Sequence, residues 1–181
     1  MRNIFVSFHQ YDEFEANVWC RRYKQYFNDI RSLGLDEFGD EFAEHINSDD
    51  SDYVMRRIRD EWIARTSCTV VLIGKCTWAR RYIDWEIAAT LRNYDDSDRG
   101  GLIAVQLPQA GDQGWAKLPP RLEKNILREN GADVGYARFY PPAPSDDTIA
   151  RWVDDAVARR TIVEPAVGST SNLMVNNRDC D

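Results

Sequence analysis

The sequence predicts an α/β fold in which helices cover both faces of a parallel sheet. Strand-like apolar segments alternate with helix-like segments along the chain, an order typical of parallel sheets. The two most apolar segments, residues 69–73 and 102–107, are continuous runs, as expected of strands that are buried on both faces. The 181 residues suffice for one full core. We therefore expect a single domain with a doubly wound sheet of about five strands.

The first half of the chain combines a strand, a long helix and a strongly acidic segment. A strand at residues 3–8 precedes a helix from residue 13 to about residue 30, in which Phe14, Val18 and Tyr23 recur at near-helical spacing. Asn17 faces roughly the same way as Phe14 and Val18. The pattern also predicts a short second strand around Gly34. Residues 36–52 carry eight acidic residues and no Lys or Arg, which indicates either a solvated loop or a segment that gates a pocket or meets a basic partner.

The second half is more regular. A helix to about residue 64 leads into the strand at residues 69–73, and a second helix follows with its apolar residues four apart. After the strand at residues 102–107 comes a Gly/Pro-rich loop whose Trp115 either anchors the loop or contacts a ligand. A short helix at 121–127, a strand at 136–140 and a helix beginning near Ser145 complete the predicted domain, residues 1–160. Residues 161–181 are polar and aperiodic, which predicts a mobile tail.

Composition argues against several classes of protein. The net charge of −7 makes broad electrostatic binding to nucleic acid unfavourable. No apolar run approaches the roughly 20 residues that span a bilayer, and the first apolar segment is too short for a signal peptide. Four cysteines without a C-x-x-C pair and only two histidines predict no metal cluster. We expect a cytoplasmic protein that binds neither membrane nor nucleic acid.

Glu86 is the unusual residue of the helix that follows residues 69–73. A helical Glu is ordinarily solvated and paired with a basic residue three or four positions away. None of the residues at those positions around Glu86 is basic, whereas Asp84 has Arg80 and Arg81 nearby and is interpreted as a surface ion pair. Glu86 therefore lacks a local partner, which favours a role outside the helix.

The predicted fold places this helix beside a ligand crevice. Ligands of doubly wound sheets bind beyond the carboxyl ends of the strands. Ser7, Phe8 and His9 follow the first strand, and residues 74–81 follow the strand at 69–73. We expect these two loops to line one crevice.

The residues that mark this crevice also carry a resemblance. The segments IFVSFHQYD and VVLIGKCTWARRYIDWEI, supported by LPPRLEKNI and RWVDDAVARR, resemble the TIR-like domain of the bacterial Thoeris anti-phage defence family. The resemblance covers residues 3–160 and implies a flavodoxin-like sheet. Tyr82 and Glu86 match that family's W-x-x-x-E-like motif, with Tyr in place of Trp.

The resemblance implies an enzyme that cleaves NAD+ at the nicotinamide–ribose bond, with some members cyclising the ADP-ribose into a signal. Glu86 is then the catalytic residue, NAD+ is a substrate, and neither a metal nor a cofactor is needed. The signal would activate a separate effector protein, and homo-oligomers are expected. The residues expected to contact the substrate are Phe8, His9, Asn17, Arg80, Arg81 and Tyr82.

Two other functions remain open at this point. A non-enzymatic TIR-like module would assemble with partners through its surface. A nucleoside deoxyribosyltransferase also uses a Glu on a related sheet. A response-regulator receiver is disfavoured, because Ser7, Phe8 and His9 occupy the place where it needs an acidic cluster.

Overall fold

The protein is built around a five-stranded, all-parallel sheet. The computed structural model describes residues 1–32, 51–93, 98–111, 117–143 and 145–180. The sheet order is β2-β1-β3-β4-β7, which confirms the predicted doubly wound, flavodoxin-like fold. Its strands are β1 (Arg2–Ser7), β2 (Phe27–Arg31), β3 (Cys68–Ile73), β4 (Gly101–Gln106) and β7 (Arg138–Tyr140).

Helices cover both faces of this sheet. They are α1 (Glu13–Tyr23), α2 (Ser51–Ile58), α3 (Arg81–Leu91), α4 (Pro120–Lys124) and α5 (Thr148–Arg159). The helices α1 and α5 pack on one face, and α2, α3 and α4 pack on the other. A π-helical turn, Arg59–Ile63, continues α2, and the short strands β5 (Arg128–Glu129) and β6 (Ala132–Asp133) pair as an antiparallel ribbon.

The central strand β3 is buried on both faces, as its continuous apolar sequence predicts. Every residue of β3 is buried. Val70 and Leu72 contribute to the core beneath α1 and α5. Val71 and Ile73 contribute to the core beneath α3 and α4. This two-sided burial is why a run of apolar residues, rather than an alternating pattern, marks the strand.

The predicted first helix is wrong in its length and in its buried face. The helix α1 ends at Tyr23, and residues 27–31 form the edge strand β2, which pairs with β1. Phe14 and Val18 are 78% and 49% exposed, whereas Trp19 and Tyr23 are buried. Pairing with β1 decides the conformation of residues 27–31, and local apolar spacing does not reveal it. The predicted strand around Gly34, the acidic segment up to residue 50 and Trp115 lie outside the described residues, whereas residues 51 and 52 begin α2.

The C-terminal tail lies against the domain. Arg121 of α4 donates hydrogen bonds to the backbone carbonyls of Ser169, Ser171 and Asn172. Both main-chain groups of Met174 are bonded to α3. The sequence predicts mobility because the tail lacks apolar periodicity, but these contacts use main-chain atoms that leave no sequence pattern. The domain boundary at residue 160 stays a prediction.

A disulfide joins Cys76, in the turn after β3, to Cys180, 104 residues further along the chain. No short Cys motif indicates this pair. Disulfides persist mainly in oxidising compartments, so a disulfide is not expected in the cytoplasmic location that the sequence predicts. That location stays a prediction. Within the described part of the chain, no helix is both long and apolar enough to cross a membrane.

Candidate functional site

The carboxyl ends of β1 and β3 lie side by side at the point where the strand order reverses. In the order β2-β1-β3-β4-β7, the chain proceeds outward from β1 on one side and from β3 on the other. Ser7, the last residue of β1, is in register with Val71 of β3. Open α/β sheets bind ligands at such a switch point, so the predicted crevice occupies the expected place.

Glu86 reaches this point from α3. Its side chain is 5% exposed. The Ser7 hydroxyl donates a hydrogen bond of 2.5 Å to Glu86 Oε2, and the described residues provide no other side-chain partner for this carboxylate. Along β1, Ser7 shares a face with Phe5, which packs against Trp85 of α3. Because side chains two residues apart on a strand point to the same face, the Ser7 hydroxyl points towards the helix that carries Glu86.

Burial changes the acidity of Glu86. Removal from water raises the pKa of this carboxyl to about 8, and the Ser7 hydrogen bond lowers it only in part. No cation compensates the charge within the described residues that surround it. Glu86 is thus a buried acid that is mostly protonated at neutral pH.

The turn after β3 approaches α1 closely. A Cβ atom at Gly74 would lie 2.1 Å from Asp12 Oδ2, so any larger residue there would have to displace the Asp12 carboxylate. Thr77 Oγ1 accepts a hydrogen bond from the Gly74 amide and donates one to the Leu72 carbonyl, which ties the turn to the strand. Asp12 Oδ2 is buried and has no hydrogen-bond partner among the residues that the structure describes. Burial first, and then the charge of Glu15, raise the pKa of Asp12 to about 6.

His9 and Arg80 face each other across the two loops. Burial, with a further contribution from the positive charge of Arg80, lowers the pKa of His9 to about 4. His9 is therefore neutral at pH 7, and its Nδ1 accepts a weak hydrogen bond of 3.4 Å from the Tyr11 amide. The Nε of Arg80 is buried and has no hydrogen-bond partner among the described residues. The crevice thus contains a positively charged group, the Arg80 guanidinium, with an N–H that no described residue accepts.

The other expected contact residues are placed differently. Phe8 packs against the core beneath α1 and α5, the face opposite to Glu86. Arg81 bonds to the Tyr82 hydroxyl and lies over the Tyr82 and Trp85 rings. Asn17 is half-buried on α1, and its side chain makes no hydrogen bond to another described residue. Of the predicted set, His9 and Arg80 lie in the loops that border the crevice.

Sequence reasoning placed Ser7 at the crevice but missed its hydrogen bond to Glu86, and it missed Asp12 altogether. The alternation of side chains along β1 could have identified Ser7, because it places that residue on the same face as Phe5. For Asp12 no comparable local signal exists, since its proximity to Gly74 arises from the packing of α1 against the turn after β3.

A separate cavity of about 260 Å³ lies between α1 and the segments that follow β4 and β7. Phe14, Val18, Trp19 and Leu107 contribute to its lining. Trp19 and Leu107 belong to the core on the face opposite to α3, and Glu86 is not among the lining residues. This cavity is therefore distinct from the crevice at Glu86.

The described residues contain no group of three or more His, Cys, Asp or Glu side chains that could hold a metal ion. What they do contain is a doubly wound sheet with one isolated, buried Glu on the helix after its third strand. These features are those expected of a TIR-like domain. The family model described as Thoeris protein ThsB, TIR-like domain, matches residues 5–112, more than half of the chain. The chain belongs to this defence-related family. No curated protein matches it.

Proposed function

We propose that the protein cleaves the nicotinamide–ribose bond of NAD+ and releases an ADP-ribose-derived signal in anti-phage defence. The observation that carries this proposal is the environment of Glu86. Its carboxyl group is buried at the switch point, and the Ser7 hydroxyl is its one side-chain partner among the described residues. Membership of the Thoeris TIR-like family supports it.

A single carboxylate suits this reaction. Breaking the bond between ribose C1′ and the nicotinamide nitrogen produces an oxocarbenium-like sugar cation. Nicotinamide departs as a neutral molecule because the bond electrons neutralise its ring nitrogen, so no general acid is required. A buried carboxylate that contacts the ribose hydroxyls orients the sugar and stabilises the developing positive charge.

Because its pKa is raised, the ionisation of Glu86 is coupled to the binding of NAD+. The free site holds Glu86 mostly protonated at neutral pH. The positively charged nicotinamide ring of NAD+ favours the ionised form, because an opposite charge nearby lowers a carboxyl pKa. Once Glu86 is ionised, the Ser7 hydroxyl donates its hydrogen bond to Oε2 and holds that oxygen in place.

Arg80 is suited to the diphosphate of the substrate. Its buried Nε has no partner among the described residues, which leaves the guanidinium with hydrogen-bonding capacity. His9 is neutral at pH 7 and can donate or accept a hydrogen bond without adding charge. We further propose, from family membership, that the product activates a separate effector and that the protein acts as a homo-oligomer.

The test compares three proteins incubated with NAD+: wild type, Glu86→Gln, and Glu123→Gln as a matched control. Glu123 is an exposed helical glutamate, so its replacement makes the same chemical change away from the site. We expect Glu86→Gln to release nicotinamide about 100- to 1,000-fold more slowly than wild type, and Glu123→Gln to match wild type. Nicotinamide and ADP-ribose products are quantified by chromatography, in concentrated protein and in phage-infected cells.

The enzymatic proposal fails if wild type releases nicotinamide no faster than Glu86→Gln in every one of these conditions. That result would leave a non-enzymatic TIR-like module as the better interpretation. Base exchange on deoxynucleosides by wild type, without consumption of NAD+, would instead favour a deoxyribosyltransferase.

A further inference from the structure

The last residues of the chain are attached to the turn that borders the crevice. The disulfide between Cys180 and Cys76 brings the C-terminal segment onto residues 74–80. The Arg178 amide donates to the carbonyl of Ala79 in the same turn, at 2.9 Å. Asn177 Oδ1 accepts a hydrogen bond of 3.0 Å from the backbone amide of Arg81.

This segment supplies a cap that α3 lacks locally. Arg80 occupies the N-cap position of α3 but makes no side-chain capping bond. The first amides of a helix have no intrahelical acceptor, so they need one from elsewhere. Asn177, 96 residues away in sequence, provides it for Arg81. The start of the helix that carries Glu86 is therefore completed by the C-terminal segment.

The tail divides into two parts with different anchorage. The inner part is held by the buried Arg121 side chain, which bonds to three tail carbonyls, and by Leu173, which packs against the core cluster containing Trp85. From Val175 to Asp179 every residue is exposed, and Val175 itself is 75% exposed. The outer part has no comparable buried anchor, so the disulfide is its main attachment.

We propose that Cys76 and Cys180 form a reversible thiol–disulfide site that fastens residues 175–180 to the turn beside the crevice. Both cysteines are partly exposed, so a small dithiol can reach them. One thiolate of the dithiol attacks a sulfur of the pair and forms a mixed disulfide, and its second thiolate then closes a disulfide within the reductant. The dithiol is oxidised, and its two electrons and two protons end on the Cys76 and Cys180 thiols.

The other two cysteines do not compete in this chemistry. Cys68 is fully buried and Cys20 is half-buried. Burial raises the pKa of each thiol to about 12, which leaves very little of the reactive thiolate. Thiol exchange is therefore confined to the pair that joins the tail to the turn.

Reduction is expected to release the outer part of the tail alone. Thr77 keeps the turn tied to β3, and Arg121 keeps the inner tail in place. The Arg81 amide loses its acceptor when Asn177 leaves. The turn that carries Arg80 loses both the covalent link and the bond from Arg178. The state of the disulfide thus adjusts one border of the crevice without unfolding the domain.

Hydrogen exchange of the full-length protein, followed by mass spectrometry and NMR, tests this proposal without any NAD+ turnover. The samples are oxidised and dithiothreitol-reduced wild type, Cys180→Ser, and Cys20→Ser as a thiol control outside the pair. We expect the Arg178 and Arg81 amides, whose hydrogen bonds depend on the attached tail, to exchange about tenfold faster or more in reduced wild type and in Cys180→Ser. Residues 169–174 should be unchanged, and oxidised Cys20→Ser should behave as oxidised wild type.

Thiol titration provides the parallel measurement. Oxidised wild type should expose two fewer titratable thiols after denaturation than reduced wild type. The proposal is overturned if mild oxidant leaves all four thiols free. It is also overturned if reduction changes no exchange rate in residues 175–180, or if residues 169–174 are released together with them.

Discussion

Two carboxylates of α3, separated by a single residue, have opposite surroundings. Asp84 and Glu86 are almost equally buried, at 4% and 5% exposure. Asp84 faces the tail, where Arg121 donates two hydrogen bonds of 2.8 Å to its two oxygens and the Met174 amide donates a third. Glu86 faces the sheet, where the Ser7 hydroxyl is its described side-chain partner.

This difference teaches that burial alone does not identify a functional acid. The charge of Asp84 is compensated by a guanidinium, and its hydrogen bonds hold the tail and α4 to α3, which is a structural role. No cation among the described residues compensates the charge of Glu86, and burial raises the pKa of this carboxyl to about 8. An acid that the fold leaves uncompensated costs stability when ionised, and such sites are candidates for function.

The strongest test of the comparison is Asp84→Asn. The substitution leaves the Arg121 guanidinium buried with one partner lost, so we expect the free energy of unfolding to fall by about 3–5 kcal/mol. Urea denaturation measures it. Asp154→Asn is the control, because the pair between Asp154 and Arg2 is exposed and should contribute less than about 1 kcal/mol. Equal losses in the two variants would remove the structural role assigned to Asp84.

The second test is the pH dependence of stability at Glu86. Its pKa in the folded protein is about 8, raised from 4.5. The folded protein therefore retains a proton that the unfolded chain loses, and the stability associated with this proton is present below pH 4.5 and is lost as pH rises through 8. We expect wild type to lose on the order of 3 kcal/mol relative to Glu86→Gln between pH 5 and pH 9.

Urea denaturation of both proteins across this range gives the difference directly. A difference between wild type and Glu86→Gln that stays constant with pH would mean that Glu86 is not an uncompensated buried acid, and the contrast with Asp84 would disappear.

The smallest expected effect comes from Ser7→Ala. The Ser7 hydrogen bond lowers the pKa of Glu86, so its removal should raise that pKa further. A hydrogen bond to a charged group contributes about 1.5 kcal/mol, which corresponds to roughly one pKa unit. Carboxyl-carbon NMR titration of Glu86 measures the shift, and Ser171→Ala, at an exposed serine, is the control. An unchanged or lowered pKa would contradict the assigned role of Ser7.

The sequence was most informative where structure depends on near neighbours. The strand at residues 69–73 and the helix after it were predicted from a continuous apolar run and a four-residue spacing, and both are present as β3 and α3. Glu86 was singled out because no basic residue stands three or four positions away. That reasoning needed only helix geometry.

The same reasoning failed where the partner is distant. Asp84 was interpreted as a surface ion pair with Arg80 or Arg81, which is wrong: it is buried and binds Arg121, 37 residues away. The helix predicted to reach residue 30 ends at Tyr23, because residues 27–31 pair with β1. The tail contacts the domain through carbonyls and a disulfide, neither of which produces periodicity.

By itself the sequence determined the order of strands and helices, the two-sided burial of the central strands and the candidate status of Glu86. These follow from local periodicity, which depends on the spacing of residues that are close together in the sequence. Only the tertiary structure decided which of two neighbouring acids is compensated, that Ser7 is the partner of Glu86, and that the C-terminal segment completes α3. Each of these depends on groups that are far apart in the chain and that meet only when helices and strands pack together.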